Sequence, residues 1–68
     1  MHVDSEAIED IDYEARRKRL LVRFTSGERY AYADVPGEVH RSFLDADSKG
    51  RFFHQHIDGR YRYERLRG

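Results

Sequence analysis

Cysteine is absent from the chain, which excludes a disulfide framework and any zinc site built on thiolates. No apolar run approaches the ~20 residues that a membrane-spanning helix needs, and no charged-then-apolar segment opens the sequence. Repeats, linkers and low-complexity stretches are missing too. These absences predict one small cytoplasmic domain with no membrane partner, spanning residues 7–66 behind a flexible N-terminus at 1–6. Leucine and isoleucine are also sparse. A chain of 68 residues buries only about 60% of the surface exposed by its unfolded form, so the four phenylalanines and five tyrosines must supply much of the core.

What the chain does have is charge. Asp, Glu, Lys and Arg make up 38% of it, with a formal net charge of zero. Mean hydropathy is −0.96. Such polarity without self-repulsion, joined to regular apolar spacing, reads as folded rather than disordered. The balance hides an asymmetry. Residues 1–15 carry six acids and no Lys or Arg, whereas residues 48–68 carry Lys49, Arg51, Arg60, Arg62, Arg65 and Arg67 against Asp58 and Glu64. The C-terminal third is therefore the expected place for an anionic partner.

Apolar periodicity orders the elements. From Ile8 the pattern alternates, with Ile11 and Tyr13 on one face and Asp10, Asp12 and Glu14 on the other, as in a half-buried strand. Leu20, Val22 and Phe24 define a second strand, and Thr25-Ser26-Gly27-Glu28 a turn in which Gly27 takes positive φ. Arg29–Ala33 is a third strand. Pro36 opens a helix to about Ala46, Ser48 caps a second from Lys49 to about Ile57, and Gly59 ends it. Arg60–Arg65 is a last strand. The order βββααβ predicts an α+β domain: an antiparallel three-stranded meander plus a C-terminal strand, with two short helices on one face.

Ser5…Ile8…Ile11-Asp12-Tyr13, then Ser26-Gly27…Tyr30-Ala31-Tyr32…Asp34-Val35-Pro36, then Ser48-Lys49-Gly50…Phe53…Ile57…Gly59-Arg60-Tyr61-Arg62-Tyr63 together resemble the KTSC domain. That family takes its name from its place at the C-terminus of some lysyl-tRNA synthetases, and it also occurs as stand-alone short bacterial proteins. The resemblance implies an RNA or tRNA context. One departure is Asp12, where glycine is expected before the tyrosine, which raises the question of the backbone conformation there.

Two Tyr-x-Tyr pairs, Tyr30/Tyr32 and Tyr61/Tyr63, each place two phenols on one face of a strand. They are either a platform for stacking bases or rings that fill the core. Core accounting favours the second. With Tyr61 and Tyr63 inward, Arg60 and Arg62 would point outward, joined by Lys49, Arg51 and Arg65 as phosphate contacts or simply as a solvated face. Ser48-Lys49-Gly50 is a second anion candidate at a helix start, or an N-capped turn whose Gly50 permits close packing. Arg16-Arg17-Lys18-Arg19 is expected to be offset by the acids of the first strand.

Metal and catalytic readings are weaker. On a helix His54 and His56 diverge by about 200°. No nucleophile sits in a triad or elbow context, and no cofactor motif is present. The sequence thus predicts a non-catalytic module that binds RNA or other nucleic acid through its basic C-terminal region. The alternative is a protein-interaction module that pairs a partner strand with a sheet edge.

Overall fold

In the computed structural model, which describes residues 7–67, the chain runs β1 (Ile8–Glu14), β2 (Arg19–Phe24), β3 (Arg29–Tyr32), α1 (Gly37–Asp45), α2 (Lys49–His56) and β4 (Tyr63–Leu66). The expected frayed segment at 1–6 lies outside the described residues. All strands pair antiparallel in the order β1-β2-β3-β4, so β1 and β4 are the edges. The helices cover one face.

Ile8 and Ile11 are both fully buried, although strict alternation would send residues three apart to opposite faces. The register slips between Ile8 and Asp10, which oppose the adjacent residues Phe24 and Arg23. This extra residue on β1 is a bulge, and it returns both isoleucines to the core. Downstream, Asp12 pairs with Leu21 in ordinary strand geometry, so no glycine-type conformation is required there.

Leu20, Val22 and Tyr32 join the isoleucines on the covered face and meet Val35, Phe43, Phe53 and Ile57 from the helices and their junctions. Burying each such aliphatic or phenyl side chain stabilises by about 1.5–3 kcal/mol. At the β3–α1 junction Asp34 adopts φ 57, a left-handed conformation that aspartate tolerates better than most residues. Pro36 stands at the N-cap of α1 in extended geometry (φ −63, ψ 147), just ahead of the helical turn that it favours. Tyr13 Oη donates to the Val35 carbonyl at 2.6 Å, and its ring stacks on His40 at 4.7 Å, tying β1 to the start of α1.

Ser48 caps α2, its Oγ accepting from the Arg51 N–H at 3.2 Å. At the other end, Gly59 is the third residue of a turn that Arg60 N–H closes onto the Ile57 carbonyl, with φ 76. This turn corrects the expected start of the last strand. The chain first meets β3 at Arg62, whose carbonyl accepts from Ala33 N–H, and the strand begins at Tyr63 rather than Arg60.

Candidate functional site

Cross-strand register builds two faces. On the covered side Ile11, Val22, Tyr30 and Arg65 form one row, and Tyr13, Leu20, Tyr32 and Tyr63 the next. Towards the β4 edge this face is almost wholly aromatic. Tyr63 lies 5.6 Å from Tyr30 and 5.7 Å from Tyr32, ring to ring. Phe53, delivered by α2, makes edge contacts with Tyr32 and Phe24.

The four tyrosines do not share one fate. Tyr32 is 4% exposed, Tyr30 and Tyr61 are half-buried against the core, and Tyr63 is 60% exposed. Nor do Tyr61 and Tyr63 share a strand face. Tyr61 precedes β4 and lines a hollow between the helices with Val39, Phe52 and Arg60. Tyr63 stands at the sheet rim, where Phe24, Tyr30, Tyr32, Phe53 and Asp58 complete a groove of about 200 Å³.

Hydrogen bonding and burial set the electrostatics of that groove. Tyr30 Oη donates to Glu28 Oε2 at 3.0 Å, and that bond, with some burial, raises the phenol above its ordinary pKa. Burial pushes the Tyr32 phenol up further, reinforced by the Asp58 carboxylate. Both rings therefore stay neutral across the physiological range. Arg65 sits 3.5 Å from Glu28 Oε2.

The remaining candidate cations are dispersed. Arg62 is exposed beside Tyr63 and extends the open-face register of Glu64. Arg60 belongs to the helix-side hollow, so it and Arg62 do not form the single outward row expected of a continuous strand. Arg51 is exposed on α2. Lys49 Nζ donates to the Ala46 carbonyl at 2.5 Å, and the Ser48 hydroxyl is the helix cap, so both are already engaged. A Cβ added at Gly50 would meet nothing within 4 Å, so close packing does not explain that glycine.

On the open face, Asp10 opposes Arg23 and Glu14 opposes Arg19, with Glu14 Oε1 2.5 Å from Arg19 Nε. The acids of β1 thus offset Arg19 and Arg23, but they reach no further. Arg16, Arg17 and Lys18 form the exposed tip of the β1–β2 hairpin, and none has an ion-pair partner among the described residues. The tip carries an accessible positive charge that reading the strand pattern alone had cancelled. Asp58 was also missed, because the groove it borders is assembled from β2, β3, α2 and β4.

His54 and His56 are both exposed on α2, His54 Nδ1 lying 3.5 Å from Asp58. Among the described residues, no three of His, Cys, Asp and Glu gather as a metal-binding group. No described helix is long and apolar enough to cross a membrane.

Comparison with known proteins gives this arrangement a family. The KTSC domain model matches residues 4–61. A lysine–tRNA ligase of Trichormus variabilis is 39% identical over 59 residues, covering 87% of this chain but only 10% of the ligase. A protein of Tsukamurella paurometabola is 42% identical over 60 residues, covering 88% of this chain and 90% of that protein. The crystal structure of a KTSC domain protein from Yersinia pestis superposes with a TM-score of 0.94 at 34% identity, covering 98% of this chain and 94% of that one. The chain belongs to the KTSC domain family.

Proposed function

We propose that this KTSC domain, residues 7–66, is a non-catalytic module that binds single-stranded RNA along its β4 edge. The observation that carries the reading is Tyr63: an aromatic side chain 60% exposed at a sheet rim, flanked in sequence by Arg62 and, one residue further, Arg65. A base stacked on such a ring gains ~1–3 kcal/mol whatever its identity. Arg62 and Arg65 take the adjoining phosphates, Arg65 exchanging its contact with Glu28 for one. Arg60 faces the helix-side hollow, and Ser48 and Lys49 are engaged at the start of α2, so none of them belongs to this contact. Likeness to part of a tRNA ligase supports a tRNA or other RNA partner in a cytoplasmic setting.

The test is an NMR titration with a short single-stranded RNA and with tRNA at two salt concentrations. Shifts are expected around Tyr63, Arg62 and Arg65 at low salt. With two phosphates engaged, by Arg62 and Arg65, log K should fall against log salt with a slope of about −1.4. Unmoved resonances at low salt overturn the reading.

A second reading draws on the same edge. Among the described residues β4 has no strand on its outer side, and the chain is electrically neutral, whereas most nucleic-acid modules are basic. A partner protein could add a strand there. Hydrogen exchange separates the two: strand addition newly protects the β4 amides that point away from β3, and base stacking does not.

A further inference from the structure

The groove beside Tyr63 has aromatic walls and one carboxylate at its margin, Asp58. A carboxylate cannot donate a hydrogen bond when ionised, and it would repel a phosphate. It suits a planar ring that presents N–H donors. Two features hold it there. The Asp58 backbone N–H donates to the Phe53 carbonyl at 2.8 Å, locking the end of α2, and the Gly59 turn follows at once. His54 Nδ1 sits 3.5 Å from Oδ2. Two carboxylate oxygens offer about four acceptor sites between them, so this neighbour leaves capacity for a ligand. The groove's volume of about 200 Å³ equals roughly seven waters at ~30 Å³ each, enough for one heterocycle.

We infer that this groove is a guanine-selective base site, with Asp58 as its specificity-determining residue; the inference rests on the RNA-binding reading above. Guanine alone among the four bases offers two adjacent donors, N1–H and the 2-amino group, to one carboxylate. Adenine and cytosine each present a single amino group next to a ring acceptor, and uracil one N–H between two carbonyls. The acceptors beside those donors would face a negative oxygen, so the same carboxylate that binds guanine disfavours the rest. Stacking on Tyr63 supplies affinity common to all bases, while Asp58 supplies the difference.

The experiment is a set of four pentanucleotide RNAs, UUNUU with N as G, A, C or U, titrated calorimetrically against wild type and Asp58→Asn at low salt. Wild type is expected to bind the G oligonucleotide at least tenfold more tightly than the others. Asp58→Asn should lose that preference, binding the A, C and U oligonucleotides at least as tightly as wild type does and keeping its melting temperature. Equal affinity for all four in wild type overturns the guanine site and leaves RNA binding standing. A guanine preference that survives Asp58→Asn overturns the role of Asp58. Binding of none of the four overturns both the site and the reading on which it rests.

Discussion

Tyr32 and Tyr63 face each other across β3 and β4, yet they have different jobs. Tyr32 is enclosed by the sheet and Phe53, so removing its ring leaves a cavity. Tyr32→Ala should cost ~3–5 kcal/mol by urea denaturation, a large share of the stability of so small a domain. Tyr63 shares ring edges with its neighbours but is mostly in water. Tyr63→Ala should cost only about 1 kcal/mol while removing RNA affinity. Equal losses for the two would place both rings in the core. His40 makes a different residue-scale prediction. Burial, reinforced by the positive charge of Arg41, lowers its pKa below the ordinary 6.5, so the folded state favours neutral imidazole. Its contribution is present above the unfolded pKa and lost as pH falls through the lower folded value. Melting temperature should therefore drop on acidification below about pH 6.5, and His40→Gln should flatten that drop.

Among the elements, α2 carries the sharpest expectations. Ser48→Ala removes the hydrogen bond to Arg51 N–H and should cost about 1 kcal/mol. Gly50→Ala, with open space around the added methyl and no positive φ to preserve, should stabilise by about 0.5–1 kcal/mol. Shifts in the urea midpoint check both. The cap at Ser48, the Gly27 turn and the inward face of β2 were legible because each depends on a few adjacent residues. Two local features were not. The bulge near Ile8 adds one residue to a period-two pattern, and counting alternation cannot locate it. The start of β4 depends on where the Gly59 turn delivers the chain to β3, a three-dimensional matter that moved Tyr61 off the strand and separated Arg60 from Arg62.

At the scale of the molecule, zero net charge is a sum over separated regions. Asp10 and Glu14 of β1 are matched across the sheet by Arg23 and Arg19, while the hairpin tip at Arg16–Lys18 and the β4 edge keep exposed cations. The layered α+β build was readable from the order of patterns, because short turns force consecutive strands to pair. The aromatic groove was not, since its residues are drawn from across the chain and only packing brings Phe24, Asp58 and Tyr63 together. On the proposed reading, RNA binds where Tyr63 leaves the core. The most direct test of that reading is the low-salt NMR titration with a short single-stranded RNA, run on wild type and on Tyr63→Ala. Shifts centred on Arg62–Arg65 are expected, diminishing with salt and vanishing in the variant, whose fold stays intact. Wild-type resonances that do not move, or shifts that persist unchanged without the Tyr63 ring, would contradict it.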